Sequence, residues 1–363
     1  MIRPVLASSL LTGLAVLAIT AGHPSRGTPL WPGSRFSRQD RDRAIRRGMN
    51  FLYESIARNP GAFADWGHDL LSAFYNIAET SSDPALASIA RRMGQERARE
   101  WRRLHPVVPS NAGPDEVTVL VFGQDAATRL GVPDPRMQAA LLQAAARFTA
   151  YDFLWFDPRK EPPPSDVPEP CRCGRQNERG VAVCTRCGRK LAMQNRYGLF
   201  QDALITTYTG DRAGILLGAH YSDALKWLPA FRPYPPPSRD NSAGIYTITH
   251  VIYTYNDYSQ HRVSRDCFPE EFETLQRHMR QAGIDHDPET MGEYLDTLRA
   301  FGLTTRDHLI QAGFDYLLSA QNPDGSWGDR KTSSIYGRYH PTWTAIDGLR
   351  DYNWTDVLPC PSF

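Results

Sequence analysis

The feature that most constrains the fold of this chain is a run of helical segments separated by short breaks. From Gln39 onward, apolar residues recur three and four positions apart, and Gly, Pro, Asp or Asn interrupts the pattern. This spacing predicts amphipathic helices joined by tight turns. We expect twelve helices, paired into six hairpins, over residues 40–58, 67–81, 84–103, 115–130, 134–150, 196–209, 212–228, 244–258, 269–282, 289–301, 305–320 and 340–352.

The fold class that follows from this pattern is all-α. Residues 245–255 are rich enough in β-branched and aromatic side chains to suggest a strand, but Ile248, Val251 and Ile252 share one helical face. We therefore predict a helix there as well. With 363 residues, of which 41% are hydrophobic, the chain can bury a large core, and we expect one domain over residues 39–358.

The first residues have the form of an export signal. Met-Ile-Arg precedes an apolar run from Pro4 to Thr20, and small residues follow at Ala21 and Gly22. This order is typical of a secretory signal peptide, which we assign to residues 1–22, with an uncleaved N-terminal anchor as the alternative. Residues 23–38 then read as a linker. We expect an exported protein, periplasmic or extracellular, that meets a membrane only through this first segment and only if that segment stays uncleaved.

The balance of charge gives no indication of a nucleic-acid partner. The 41 Lys and Arg residues are matched by 40 Asp and Glu residues, so the net charge is +1. The basic clusters near residues 91–103 are interrupted by Glu96 and Glu100, as on the solvated face of a surface helix. We expect no nucleic-acid binding.

A turn near the C-terminus resembles a known repeat. Residues 321–328 read QNPDGSWG, and they resemble the Q-x-x-D-G-S-W repeat of the squalene cyclase and protein prenyltransferase superfamily. Residues 312–320 are similar to the outer helix before that turn, and residues 339–349 to the inner helix after it. Without the family, Asn322 and Asp324 can bond their own backbone, and Trp327 can cover a neighbouring helix, so we interpret the turn as a structural staple.

The resemblance implies a fold, but it does not by itself imply either prenyltransferase or cyclase activity. It implies an (α/α)6 toroid, in which six inner helices surround an axis and six outer helices enclose them. His340 stands where prenyltransferases carry a zinc-ligating histidine, but the Asp-x-Cys pair of that metal site is missing. The Asp-x-Asp-Asp acid of the cyclases is also missing, since the nearest stretch, Asp285-His-Asp287, lacks the final carboxylate.

Four cysteines predict a metal site in the middle of the chain. Cys171 and Cys173 form a C-x-C pair, Cys184 and Cys187 form a C-x-x-C pair, and a glycine follows each pair. Four thiolates satisfy tetrahedral zinc completely, so we predict a structural zinc ribbon inserted at residues 158–192. Two crossed disulfides are the alternative, which export favours.

Two further cysteines, Cys267 and Cys360, stand apart from this group. Each lies near a predicted helix boundary, and a disulfide between them is possible on sequence grounds.

Histidines at equivalent places in three hairpins suggest a site. His68, His250 and His340 each lie at or near the start of a helix that we place on the axis. Tyr253 and Asp257 share a helical face with His250, which adds a phenol and a carboxylate. We expect these five residues to form the catalytic site, with the three histidines within about 10 Å of one another. The alternative is that each histidine is a hydrogen-bonded core residue or a helix cap.

Several functions fit these expectations. The first is an exported enzyme, similar to terpene cyclases and prenyltransferases, that uses the histidines for acid and base catalysis or to hold a second divalent metal in the cavity. A variant is a polysaccharide lyase using His250, Tyr253, Asn256 and Arg262. The other class is a non-catalytic scaffold that binds a peptide, glycan, lipid or small molecule.

Overall fold

The regular secondary structure is helical throughout the part of the chain that the structure describes. The computed structural model describes residues 28–57, 60–234, 242–332 and 334–362. These residues form α-helices, one short 3-10 helix at Leu228–Phe231 and isolated β-bridges, without a β-strand. The helices are α1 (Arg38–Ala57), α2 (Pro60–Thr80), α3 (Pro84–Leu104), α4 (Pro114–Arg129), α5 (Pro135–Ala145), α6 (Ala150–Leu154), α7 (Arg196–Ala213), α8 (Tyr221–Leu225), α9 (Ser242–Tyr255), α10 (Pro269–Ile284), α11 (Pro288–Ala300), α12 (His308–Ala320) and α13 (Tyr336–Leu349).

The predicted signal peptide at residues 1–22 lies outside the described residues. Of the predicted linker at 23–38, residues 28–38 are described, and Pro29 forms a β-bridge with Ser37 before α1 begins. None of the helices that the structure describes combines the length and the hydrophobicity of a membrane span.

Short polar caps fix where many helices begin. The side chains of four capping residues accept hydrogen bonds from backbone N–H groups in the first helical turn, and these residues are Asp83, Asp134, Asn195 and Asp287. In three of the four cases proline follows, because its missing N–H costs nothing at that position. The caps explain why the starts of α3, α5 and α11 were predictable to within one residue.

Six helices pack on one another in a continuous series. α2 contacts α4, α4 contacts α7, α7 contacts α9, α9 contacts α11, α11 contacts α13, and α13 contacts α2 again. We call these six the cavity helices. Each of the longer remaining helices packs on a member of this series: α3 lies on α2, α5 on α4, α10 and α12 on α11, and α1 on α13.

The prediction of one helix over residues 212–228 is wrong. α7 continues to Ala213 and ends at Gly214, which adopts φ +68. The chain then makes a bend around Gly218 before the short α8 begins. A Cβ at Gly218 would lie 2.7 Å from Cα of Ala150, so this bend fits against α6 only because the residue is glycine.

The turn around Trp327 is confirmed as a structural staple. The indole is fully buried, and its Nε1 donates a hydrogen bond to the carbonyl oxygen of Leu317 at 2.8 Å. Gly325 adopts φ +91, and a Cβ there would lie 2.6 Å from the carbonyl oxygen of Arg47. The backbone N–H of Trp327 donates to the hydroxyl of Thr342 on α13, so the turn joins the end of α12 to α1 and to α13.

Candidate active site in the cavity between the helices

A cavity of about 520 Å³ lies between the cavity helices, and all six contribute side chains to its wall. Its volume falls in the range of small-molecule sites. The wall also includes Phe153, Leu154 and Trp155 from α6 and the residue that follows it, and Gln194 from the residue before the cap of α7. The cavity therefore collects residues from most of the chain.

All three predicted histidines line this cavity. His68 comes from α2, His250 from α9 and His340 from α13, and Tyr253 lines it as well. They do not lie at helix starts, however, because α2, α9 and α13 begin earlier than the predicted helices. The expectation that these histidines lie at or near helix starts is therefore wrong: the imidazoles project from within the helices.

Asp257 is not among the described residues that line the cavity. It follows α9 with φ +53, accepts a hydrogen bond from the hydroxyl of Tyr208, and lies 3.7 Å from Nη1 of Arg212. Arg212 in turn pairs with Asp125 on α4. These bonds connect the end of α9 to α7 and α4, so the structure gives Asp257 a place in an ion-pair network that joins three helices.

Two glutamates on α11 were missed by the sequence reasoning. Nδ1 of His340 lies 3.2 Å from Oε1 of Glu289, and Oε2 of Glu293 accepts a 2.6 Å hydrogen bond from the hydroxyl of Thr249. One ligand atom from each of Glu289, Glu293 and His340 lies within 4.8 Å of the others. We call these three residues the Glu–Glu–His cluster. Its spacing of four along α11 was a signal, but an exposed helix has the same spacing.

The Glu–Glu–His cluster forms because α11 and α13 touch through their backbones. A Cβ at Gly292 would lie 2.3 Å from the carbonyl oxygen of Thr344, and a Cβ at Gly348 would lie 3.0 Å from the carbonyl oxygen of Gly292. No larger residue fits at the first position without moving a helix. The close approach brings the carboxyl groups of α11 within reach of the imidazole of α13.

The two glutamates have opposite electrostatic environments. Burial alone would raise the pKa of Glu289, but the positive charge of His340 outweighs it and holds that pKa below its ordinary value. Burial likewise opposes the charge on His340, and the Glu289 carboxylate overcomes it and raises the pKa of His340 to about 9. Glu293 is fully buried, and this burial raises its pKa to about 8. At neutral pH, Glu289 is ionised and Glu293 is protonated.

The other two histidines are neutral in this environment. Burial lowers the pKa of His250 to about 4, and burial lowers the pKa of His68 as well. Nδ1 of His250 lies 2.8 Å from the carbonyl oxygen of Tyr246. A carbonyl only accepts, so this nitrogen carries the proton, and Nε2 is left as the basic atom.

A second pair of carboxyl groups, Asp296 and Asp347, also lines the cavity. Both oxygens of Asp296 accept from the hydroxyl of Ser259, and burial together with Asp347 raises the pKa of Asp296 to about 7. Asp347 pairs with Nε of Arg350 at 2.6 Å. This pair is therefore braced by the protein on one side while it faces the cavity on the other.

The four clustered cysteines are close enough to hold a metal ion. Their sulfur atoms lie within 4.8 Å of one another, with Sγ separations of 3.5 Å for Cys171 and Cys187 and 3.6 Å for Cys173 and Cys184. Zinc bonded to four thiolates at about 2.3 Å spaces them about 3.8 Å apart. All four are free thiols, so the alternative of two crossed disulfides is not what the structure contains.

Cys267 and Cys360 form a disulfide, which ties the C-terminal segment to the chain just before α10. The two groups of cysteines are thus in different chemical states within one chain.

In comparisons with known proteins, no family model matches the chain, and no curated protein or solved structure matches it.

Proposed function

We propose that the chain is an enzyme that cleaves a bond by general acid and base catalysis in the cavity. The observation that carries this proposal is that Glu293 and His250 both line the cavity, the first as a buried carboxyl group bonded to the hydroxyl of Thr249 and the second as an imidazole whose Nδ1 faces a carbonyl oxygen. A carboxyl group that keeps its proton and an imidazole that lacks one are the arrangement that acid and base catalysis requires. Ionisable groups with strongly shifted pKa values that face a cavity are more typical of an active site than of a scaffold.

The roles follow from the protonation states. Glu293 holds a proton that it can donate to a leaving oxygen, while a neutral imidazole, His250 through Nε2, can take a proton from a water molecule. The water oxygen forms the new bond as the leaving group departs with the proton of Glu293, and the proton on His250 returns to Glu293 through solvent. Glu289 keeps His340 charged, and this ion pair stabilises positive or negative charge that develops nearby.

The reaction class that fits these roles best is hydrolysis of a C–O bond, as in a glycoside. The lyase variant has less support, because neither Asn256 nor Arg262 is among the described cavity-lining residues. Asn256 is buried and accepts a hydrogen bond from the backbone of Ser259, and the Arg262 guanidinium lies over the ring of Trp354.

Leaving-group dependence tests the role of Glu293 directly. The full chain is assayed with pairs of phenyl and p-nitrophenyl glycosides, since the phenyl leaving group needs a proton and p-nitrophenolate departs without one. We expect Glu293→Gln to lower kcat about 100-fold on the phenyl substrate and much less on the p-nitrophenyl substrate. Glu116→Gln, which removes an exposed carboxylate on α4, serves as the matched control.

Equal losses on both leaving groups would assign Glu293 a structural role. Wild-type protein that cleaves neither member of any pair would favour the scaffold alternative.

A second candidate is metal-assisted hydrolysis, favoured by the separations in the Glu–Glu–His cluster. Two carboxylates and one imidazole leave coordination positions open for a water molecule, as catalytic divalent metal sites do. Metal analysis of purified protein separates the cases. One zinc that disappears with Cys171, Cys173, Cys184 and Cys187 replaced by Ser supports the structural ribbon alone; a further equivalent that disappears with Glu293→Gln supports the second candidate.

The wider assignment remains part of the same proposal. The closed series of contacts among the cavity helices and the staple at Trp327 support an (α/α)6 toroid related to the squalene cyclase and prenyltransferase superfamily. The disulfide supports export to an oxidising compartment, where bound zinc would protect four neighbouring thiols. The sulfur separations support the zinc ribbon.

A further inference from the structure

The wall of the cavity carries an unusual balance of charge. Six carboxyl groups line it, and they belong to Asp69, Asp115, Asp202, Glu293, Asp296 and Asp347. The described residues of the wall include neither lysine nor arginine. Its basic groups are three histidines, of which His68 and His250 are held neutral by burial and His340 is matched by Glu289. Glu293 keeps its proton at neutral pH and Asp347 pairs with Arg350, but the remaining carboxyl groups still outnumber the one charged histidine, so the described wall favours positive charge in the ligand.

Asp202 is the carboxyl group with the clearest opening for a ligand. It lies on α7, its side chain is accessible to water, and no other described residue forms a hydrogen bond or ion pair with it. Its position deep between the helices nevertheless raises the pKa of Asp202 to about 6. A cation bound beside Asp202 would supply the counter-charge that the described part of the protein does not provide.

Aromatic rings border the same space. Trp66, Trp155, Trp343 and Tyr336 line the cavity, and the rings of Trp66 and Tyr336 lie 5.1 Å apart. Trp66 is 41% exposed, which is unusual for so large an apolar side chain and leaves its ring open to a partner. Aromatic faces attract organic cations and also stack on sugar rings.

We propose that the ligand of this cavity is an organic cation, an ammonium-bearing molecule such as an amino sugar, held by Asp202 and by the aromatic rings. The inference rests on the proposed function, because it names a substrate class for the same cavity. Diphosphate and uronate ligands are the opposite class, since they would meet several carboxyl groups without a balancing lysine or arginine among the described wall residues.

A charge series on one scaffold tests the proposal by calorimetry with the full chain at low salt. The probes are a glucosamine disaccharide, cellobiose and digalacturonate, which carry positive, zero and negative charge. Benzylamine and benzyl alcohol form a second pair without a sugar. We expect the glucosamine disaccharide to bind about tenfold more tightly than cellobiose, and digalacturonate to bind more weakly than both. Selectivity for benzylamine alone would still support an ammonium ligand, on a scaffold other than a sugar.

The variant Asp202→Asn tests whether Asp202 recognises the positive charge of the ligand. We expect it to reduce affinity for the preferred cation about fivefold and to leave affinity for its neutral partner unchanged, whereas Glu116→Gln changes neither. The wild-type series remains decisive if Asp202→Asn does not fold. Equal or tighter binding of the neutral or anionic probes, or no binding of any probe, would overturn the proposal. Those results would leave the leaving-group test of Glu293 untouched, so failure of the ligand class is distinguishable from failure of the proposed function.

Discussion

Two glutamates, Glu271 on α10 and Glu293 on α11, are both buried, and the protein neutralises them in different ways. Glu271 receives both arms of the Arg232 guanidinium at 2.8 Å and a hydrogen bond from the hydroxyl of Tyr234. Glu293 receives the hydroxyl of Thr249 and faces the cavity. Glu271 is therefore an ion-paired carboxylate with no access to the cavity, whereas Glu293 has no direct ion pair and stays protonated. The difference shows that a buried carboxyl group without a direct ion pair can keep its proton and face the cavity with it.

Removing the cation from the paired glutamate gives the largest expected effect. We expect Arg232→Met to lower the free energy of unfolding by about 3 to 5 kcal/mol, because Glu271 would be left buried and uncompensated. Urea denaturation at pH 7 measures it. The double variant Arg232→Met with Glu271→Met is the control, and it should recover most of the loss. A loss below about 1 kcal/mol in the single variant would show that the two glutamates are not distinguished by their partners.

The unpaired glutamate should respond in the opposite direction. Because burial raises the pKa of Glu293 to about 8 from an ordinary value of 4.5, the folded protein binds a proton that the unfolded chain releases between these values. Wild-type stability therefore falls as pH rises through this window. Glu293→Gln carries no such cost, so we expect it to be more stable than wild type by up to about 4 kcal/mol at pH 8 and nearly equal below pH 4.5.

Thermal unfolding across pH, with Glu116→Gln as the exposed control, measures this difference. A constant offset between Glu293→Gln and wild type at every pH would contradict the assignment of the proton to Glu293.

The smallest effect is expected at the ion pair beside it. His340 has a raised pKa, so its contribution is present below its ordinary value of 6.5 and is lost as pH rises through about 9. Glu289 has a lowered pKa, so its contribution is present above 4.5 and is lost on further acidification. We expect Glu289→Gln to cost about 1 kcal/mol between pH 5 and pH 7 and less outside that window. Unfolding is followed with a chelator present; a cost that grows above pH 9 would argue against the pair.

The sequence predicted the helices better than it predicted the site. Caps such as Asp134 and Asp287 act on their own neighbours, so their effect can be derived locally. The convergence of His68, His250 and His340 on one cavity was also predictable, because equivalent places in repeated hairpins meet the same space.

The acidic groups were not predictable by the same means. Glu289 and Glu293 resemble the polar face of a surface helix, and the packing of the neighbouring helices around α11 buries Glu293 and partly buries Glu289. The bend at Gly218 was missed for the same reason, since it depends on the position of α6. Asp257 was included in the site because its spacing from His250 presumed that α9 continues, whereas α9 ends at Tyr255.

The contact at Gly292 has a consequence for how this cavity can vary. Two helices whose backbones touch cannot rotate or slide without collision. The distance and orientation of Glu289 and Glu293 relative to His340 are therefore set by Gly292, which has no side chain. Enlarging position 292 would separate proton donor from imidazole while leaving every ionisable group in place. Changes to the aromatic residues of the cavity wall could therefore alter which ligand binds. The reacting groups themselves tolerate little change in the distance between α11 and α13.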